Sequence, residues 1–171
     1  MTAGEAALAR SVFGAAIDYA KVRIFNRRYL PFQPRNCAMA PNGSLYFHRS
    51  CCLPDFSAAD IGGQHWFIHE MTHVWQHQLG YPVRLRGALR FGLDYHYDLR
   101  PGATLADFNM EAQGDLLADY FALVLRGRPD AMRWREHAGQ GALFDAVLAP
   151  FRADAAARAH LPRWCGSRRQ P

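Results

Sequence analysis

The segment FIHEMTHVWQHQLG, residues 67–80, carries three histidines and one glutamate among large apolar side chains. His69 and His73 are four residues apart, so on a helix they lie on one face, about one turn from each other. Two imidazoles placed in this way can bind one tetrahedral Zn²⁺ at about 2.0 to 2.1 Å. Glu70 then lies beside the ion, where it can take a proton from a water molecule. The pattern is HExxH, which supplies two metal ligands and a general base.

The same residues have a second interpretation, as core or surface histidines with a glutamate on the helix face. The composition argues against coincidence, because eight histidines and four glutamates produce an HExxH pattern by chance in roughly one chain in a hundred. The helical context adds support, because the remaining large side chains form another stripe that can pack into a core. That stripe consists of Ile68, Met71, Trp75 and Leu79.

His77 repeats the same spacing but is not expected to complete the site. It lies eight residues after His69, which corresponds to about 12 Å along a straight helix. Enzymes with three histidine ligands break the helix with a glycine after the motif, and here no glycine occurs before Gly80. His77 is therefore predicted to lie at the surface or to contact the ligands from outside, and the third ligand must come from another segment.

The best source of that ligand is NMEAQGDLLADY, residues 109–120. A carboxylate at Glu111 can fill the third position, and Asp115, one helical turn later, can accept the free ring N–H of a ligand histidine and fix its tautomer. The alternative is a solvated acidic face shared with Asp107 and Asp119. The metal site is favoured because the neighbours of the pair are small, which allows two helices to approach closely. These neighbours are Ala112 and Gly114.

HEMTH followed by EAQGD, in the order E-x-x-x-D, resembles the gluzincin metallopeptidases over roughly residues 36–126. The resemblance implies a zincin-like fold with one Zn²⁺ per chain, held by His69, His73 and Glu111, and hydrolysis of amide bonds in a peptide or protein substrate. Glu70 would take a proton from the activated water and pass it to the leaving nitrogen. The stretch HEMTHVWQHQLGYPVRLRG is also similar to small bacterial zincin-like proteins of the Vgr- and Rhs-related type. These are linked to contractile type VI secretion systems, which implies a secretion-apparatus partner.

A metallopeptidase also needs a donor for the negative charge that develops on the carbonyl oxygen. The larger gluzincins use a tyrosine or a histidine from a second domain, for which a chain of 171 residues has no room. The candidates in this chain lie between the two ligand segments and are Tyr95, His96 and Tyr97. The alternative is that these three are half-buried packing residues.

Short elements of both kinds surround the motifs and predict an α+β fold. A capping-box pattern at Thr2 and Glu5 predicts a short N-terminal helix. An Asn42-Gly43 turn and alternating segments predict a small antiparallel sheet of about three strands. The strands are predicted at 21–25, 36–39 and 44–48. We expect this sheet to pack on the HExxH helix and on the second ligand helix, as a minimal zincin-like domain.

Turn residues set the expected limits of the longer elements. The HExxH helix is predicted from about Gln64 to Leu79 and the second ligand helix from about Thr104 to Arg126, because glycine and proline follow each of them. Residues 130–160 are rich in alanine and arginine and are predicted to be helical with breaks. Residues 1–160 are expected to form one domain, and residues 161–171 a flexible basic tail.

The chain is basic, with a net charge of +5 and a pI of about 9.3. Its arginines are scattered along the sequence, which is typical of an ordinary solvated surface; an acidic partner or substrate is the alternative. No nucleic-acid recognition motif accompanies the charge, so a nucleic-acid partner is not expected. No apolar run reaches the roughly 20 residues of a membrane span, and no Sec signal peptide is evident. We expect a cytoplasmic protein, with export by a signal-independent secretion system left open.

The four cysteines do not form a metal motif of their own. No CxxC pair occurs, so a structural zinc knuckle is not supported, and in the cytoplasm the thiols are expected to be reduced. A thiolate is nevertheless a strong zinc ligand, which makes three of them further candidates for the open zinc position. These are Cys51, Cys52 and Cys165.

Three classes of function fit these patterns. The first is a small zinc-dependent peptidase, and the second is a secretion-system effector or toxin with the same chemistry. The third is a non-catalytic accessory module in which zinc only holds two helices together. Glu70 argues against the third, because a structural site needs no base and usually has four protein ligands, mostly cysteines.

Overall fold

A computed structural model describes residues 1–89 and 93–163 of the chain, so Cys165 and most of the expected basic tail lie outside the described residues. Five α-helices and three short strands make up an α+β fold, which confirms the predicted class. The helices are α1 (Ala3–Phe13), α2 (Ile61–Gln78), α3 (Val83–Leu89), α4 (Met110–Tyr120) and α5 (Gly141–Ala153). The strands are β1 (Ile24–Asn26), β2 (Ala38–Met39) and β3 (Leu45–Phe47).

The sheet is mixed, with the strand order β1-β3-β2, so the prediction of an antiparallel sheet is wrong. β2 and β3 form the expected antiparallel hairpin, whose turn has Gly43 at a φ of +81°. β1, however, pairs with β3 in parallel. The hairpin signal specifies only β2 and β3. Residues 27–37 are long enough to carry the chain from one edge of the sheet, across the end of β3, to the other edge.

The helix limits agree with the sequence patterns at some ends and differ at others. The capping box of α1 is present, since Glu5 N–H donates to Thr2 Oγ1 at 3.0 Å and Thr2 N–H donates to Glu5 Oε2 at 2.8 Å. The predicted second ligand helix, by contrast, is divided. It consists of a 3₁₀ turn (Leu105–Asp107), then α4, and then a π-helical turn (Phe121–Leu125). In residues 130–160 the only α-helix is α5, accompanied by short 3₁₀ turns.

The core surrounds α2 on all sides. Every residue from 67 to 76 is buried, because helices pack on one side of α2 and aromatic residues near the sheet pack on the other. Trp75 lies against Phe13 and Phe151, with ring centroids 6.4 and 5.4 Å away. A helix buried in this way has little amphipathic contrast, so its polar side chains must find partners inside the protein. Within the described ranges, no helix combines the length and apolar character needed to cross a membrane.

Candidate metal centre

Three side chains predicted as metal ligands converge between α2 and α4. His69, His73 and Glu111 each offer a ligand atom within 4.8 Å of the others. Glu111 Oε2 lies 3.4 Å from His69 Nε2 and 3.3 Å from His73 Nε2. Ligands bound to zinc at about 2.0 to 2.1 Å in a tetrahedral arrangement are themselves about 3.3 to 3.4 Å apart. The donor set and its spacing therefore fit a Zn²⁺ ion.

The other ring nitrogen of each histidine has an acceptor. His69 Nδ1 lies 2.7 Å from Asp115 Oδ1, and His73 Nδ1 lies 2.9 Å from Gln76 Oε1. In its neutral form, with the hydrogen on Nδ1, each ring would direct an unprotonated Nε2 at the ligand cluster, and this tautomer assignment follows from the two acceptors. Asp115 thus lies where the sequence predicted a carboxylate that supports a ligand. The role of Gln76 was not predicted, although its place three residues after His73 puts it on the same helix face.

A chain of two amides fixes the orientation of Gln76. Its Nε2 donates to the carbonyl oxygen of Met110 at 3.1 Å and to Gln113 Oε1 at 2.9 Å. Gln113 Nε2 in turn donates to the carbonyl oxygens of Leu105 and His160, at 2.7 and 3.0 Å. Both amide hydrogens of Gln76 are therefore committed to acceptors. Its oxygen is left to face His73.

Two carboxylates on α4 connect the site to the segment around Trp134. Asp115 Oδ2 accepts from Trp134 Nε1 and pairs with Arg133 Nε, both at 3.0 Å. Asp119, one turn later and fully buried, accepts from the backbone N–H groups of Arg133 and Trp134 at 2.7 and 3.1 Å. His65 Nε2, 2.8 Å away, also faces Asp119. Asp119 therefore helps to hold the segment around Trp134 beside the site and is not part of a solvated acidic face. Its spacing of four residues from Asp115 places both carboxylates on one face of α4, and this spacing is the sequence feature that could have predicted its role.

The first turn of α4 contains the candidate ligand Glu111, and α4 approaches α2 closely. Asn109 caps the helix, accepting from Glu111 N–H at 3.0 Å and from Ala112 N–H at 3.2 Å. A Cβ added to Gly114 would lie 2.7 Å from Cε1, 2.8 Å from Nδ1 and 3.0 Å from Nε2 of His69. The absence of a side chain at this position therefore creates the space that the ring of His69 occupies.

Glu70 is buried beside the ligands, and one of its oxygens is unpartnered. Only 5% of the residue is exposed, and Oε2 has no hydrogen-bond partner in residues 1–89 and 93–163. Burial raises the pKa of Glu70, against the opposing effects of His69, His73 and a hydrogen bond from Trp66. A buried carboxylate with a raised pKa and a free oxygen is suited to act as a general base.

The pKa values of the three candidate ligands are shifted so that the protonated histidines and the ionised Glu111 are favoured. Burial alone would lower the pKa of His69, but its hydrogen bonds to Asp115 and Glu111 raise that pKa to about 10. Burial would raise the pKa of Glu111, yet His73 and His69 hold it well below its usual value. The pKa of His73 is raised as well, against the effect of burial, chiefly by Glu111. A site that retains protons in this way attracts a cation that can replace them.

Of the three residues proposed to stabilise an oxyanion, one lies at the site. Tyr95 is 42% exposed, and its ring stacks on that of His69 at 5.9 Å. The O–H of Tyr97 is committed to Asp119 Oδ2 at 2.6 Å, in the core. His96 lies instead against the ring of Trp134, and its Nε2 is 3.3 Å from an oxygen of Glu136.

The remaining candidates lie elsewhere. His77 is exposed, and its ring contacts the hairpin turn at Gly43. Cys51 and Cys52 do not belong to the ligand cluster in the described residues. A second group, His96, Glu136 and His137, also brings ligand atoms within 4.8 Å of one another. Both ring nitrogens of His137 already face oxygens, of Gln140 at 3.0 Å and of the Tyr97 backbone at 3.1 Å, so we assign no metal to this group.

Comparisons with known proteins agree on one relative. No family model matches the chain. The chain is 46% identical over 128 residues to the type VI secretion system spike protein VgrG2b of Pseudomonas aeruginosa. That match covers 71% of this chain but only 13% of the much longer spike protein. The solved structure of the effector domain of Pseudomonas aeruginosa VgrG2b superposes with a TM-score of 0.70 and 38% identity, covering 89% of this chain and 80% of that one.

Proposed function

The chain belongs to the family of the VgrG2b effector domain, and on this premise we propose that it is a type VI secretion effector domain that hydrolyses peptide bonds with zinc. The observation that carries the chemistry is the convergence of His69, His73 and Glu111 beside the free oxygen of Glu70. Because its relative is a spike protein, we propose a component of the secretion apparatus as the partner that delivers the domain. Such delivery needs no cleaved signal.

In this proposal His69, His73 and Glu111 would hold the ion. Asp115 and Gln76 keep the two imidazoles in the tautomer that leaves Nε2 free to bind. When bound, zinc supplies a Lewis acid that polarises a carbonyl group and makes a nearby water more acidic. These residues would hold the ion and stay chemically unchanged, so the proton transfers fall to Glu70.

Glu70 acts as the base and then as the acid. Its unpartnered Oε2 accepts a proton from the attacking water and returns it to the nitrogen that leaves as the amide bond breaks. Burial, which raises its pKa, makes the carboxylate a stronger base than an exposed one. Tyr95, half-exposed and stacked on His69, would donate its O–H to the developing oxyanion. Burial and the nearby carboxylates of Glu111 and Glu70 raise its pKa, so this phenol keeps its proton at neutral pH.

The test has two steps. Elemental analysis of the purified protein should find about one zinc per chain, as expected for a single three-ligand site. Wild type and Glu70→Gln should then be incubated with a denatured protein mixture, with and without a chelator. The amide keeps the shape but accepts no proton, so Glu70→Gln should retain zinc while hydrolysis falls about 100- to 10,000-fold.

Glu136→Gln is the matched control, because it makes the same chemical change on a side chain that is 53% exposed and lies outside the ligand cluster. It should cleave the mixture as the wild type does. A protein without a transition metal after expression with added zinc would overturn the proposal. Full turnover by Glu70→Gln would overturn the assignment of the base.

A further inference from the structure

The positive charge of the protein is concentrated in one part of the chain. From residue 19 to residue 54, between Asp18 and Asp55, there is no acidic residue. This segment carries six basic residues, which exceeds the net charge of +5 of the whole chain. They are Lys21, Arg23, Arg27, Arg28, Arg35 and Arg49. The rest of the chain is therefore close to neutral, and the excess charge belongs to the region of the sheet.

The parallel pairing of β1 and β3 brings four of these residues together. Because Asn26 is paired with Phe47, the residues that follow the two strands leave the same end of the sheet. Residues 27–37, called the basic loop below, cross this end. A cleft of about 640 Å³ results, lined by the four arginines together with His48 and Ser50. The arginines are Arg27, Arg28, Arg35 and Arg49. If β1 and β3 were antiparallel, the arginines that follow β1 and the arginine that follows β3 would lie at opposite ends of the sheet.

Within the part of the chain that the structure describes, the cleft has no internal counter-charge. Among the described residues, no carboxylate forms an ion pair with any of its four arginines, whereas Arg128, Arg152 and Arg163 each pair with an aspartate. His48 is a buried residue that lines the cleft, and its pKa reflects both this burial and the positive charge around it. Its pKa is lowered by burial and then by the nearby guanidinium groups. Arginines that have no carboxylate partner among the described residues remain available to an external anion, and their planar donor groups match a phosphate.

Hydrogen bonds made by Gln33 and Ser50 hold the basic loop in place. Gln33, only 3% exposed, accepts from Tyr29 N–H at 2.8 Å. Its amide nitrogen donates to the carbonyl oxygens of Cys37 and Tyr46, at 2.8 and 3.0 Å. Ser50 Oγ donates to the carbonyl oxygen of Arg35 at 3.1 Å. The loop is therefore a built surface whose arginines are positioned before any ligand arrives.

The tip of the basic loop is apolar. Phe32 is 95% exposed and Leu30 is 48% exposed, while the residues on either side of this tip include Arg28 and Arg35. An almost fully exposed phenylalanine is costly in water unless it has an apolar environment to enter. Apolar side chains next to arginines form the combination that places a protein at the interface of an anionic membrane.

We propose that the basic loop binds the surface of an anionic phospholipid membrane, with lipid phosphates in the arginine cleft and Phe32 and Leu30 in the interfacial layer. A lipid surface fits better than a protein partner, because two apolar side chains fall far short of the roughly 1,200 Å² that a stable protein interface buries. A membrane needs no such area, since each arginine near an anionic surface raises the affinity about fivefold. The interaction is peripheral and reversible.

The experiment measures co-sedimentation of the 171-residue protein with vesicles of phosphatidylcholine, with and without 30% phosphatidylglycerol. Binding should require the anionic lipid and should weaken with salt. Arg35→Gln/Arg49→Gln should bind about 30-fold more weakly, and Phe32→Ala about tenfold more weakly. Arg84→Gln is the matched control, because Arg84 is exposed and lies outside the cleft; it should lose less than threefold. All three variants change exposed side chains only, so thermal melts should confirm that each variant is folded.

A further arm identifies the recognised group. Inorganic phosphate should displace the protein from anionic vesicles more effectively than sodium chloride of equal ionic strength, if the cleft binds the phosphate itself. Equal binding to neutral vesicles, or no binding to either, would overturn the proposal. So would a loss of about fivefold in Arg84→Gln, which is the loss that one charge would cause if binding responded to net charge alone. The readout needs neither zinc nor hydrolysis, so its failure leaves the proposed function standing.

Discussion

The metal centre and the basic loop handle charge in opposite ways. Between α2 and α4, buried imidazoles, amides and carboxylates satisfy one another, and the unpartnered buried oxygen described there belongs to Glu70. In the arginine cleft beside the basic loop, four arginines face solvent, and no described carboxylate forms an ion pair with them. The first arrangement fixes a few atoms, as the proposed chemistry requires, and the second leaves charge and apolar surface exposed, as the proposed membrane binding requires. The two proposed roles thus differ in whether their polar groups are buried or exposed.

The largest expected effect concerns the metal centre, which is the buried region in this comparison. Glu111→Ala removes one of the three proposed ligands and leaves the buried imidazoles of His69 and His73 without the carboxylate between them. We expect loss of stoichiometric zinc and a lower melting temperature, because metal binding contributes to folding. Elemental analysis and thermal melts measure both. His77→Ala is the control and should bind zinc as the wild type does. If His77→Ala lost the metal while Glu111→Ala kept it, the ligand assignment would be wrong.

The next effect concerns the support of a ligand. Asp115→Ala should lower zinc affinity by roughly 10- to 100-fold, because the ring of His69 loses the acceptor that fixes its tautomer. The same change leaves Trp134 Nε1 without its acceptor, so the melting temperature should fall as well. Competition with a zinc-binding dye measures the affinity. An unchanged affinity would mean that the contact between Asp115 and His69 does not orient the ligand.

The dependence on pH sharpens the contrast further. In the metal-free protein the pKa of His69 is raised from 6.5 to about 10, so folding favours its protonated form. The stability from this group is complete below pH 6.5 and is lost as the pH rises through about 10. Zinc must displace that proton, so its affinity should rise about tenfold per pH unit between pH 7 and 9. Titrations at pH 7, 8 and 9 test this, and a flat profile would contradict it.

The smallest effect belongs to the basic loop. Phe32→Ser should change the free energy of unfolding by no more than about 0.5 kcal/mol, because an exposed side chain loses almost nothing when it is shortened. Urea denaturation measures this change. Phe25→Ser provides the contrast. The ring of Phe25 stacks on that of Tyr46 with centroids 4.8 Å apart, so its removal should clearly lower the free energy of unfolding. A large destabilisation by Phe32→Ser would indicate that Phe32 packs within the protein.

The sequence predicted what depends on spacing along one helix. The separation of His69 from His73, and of Glu111 from Asp115, specifies a shared helix face, so the candidate ligands and the support of His69 were recognisable in advance. It did not predict the parallel pairing of β1 with β3, because that pairing depends on the path of an intervening loop. For the same reason the arginines of the cleft seemed scattered, although the fold gathers them.

The contact between the Gly114 position and the ring of His69 provides a criterion for screening relatives of this chain. The ligands alone give the pattern HExxH…E, which occurs on many unrelated sequences. Adding the glycine, and the flanking amide and carboxylate, extends the second half to E-x-Q-G-D, residues 111–115 here. A family member that kept every ligand but carried a bulkier residue at the glycine position would be expected to have lost its zinc. Among relatives that keep the ligand pattern, this one position would therefore distinguish those in which the His69 ring has its space from those in which it does not.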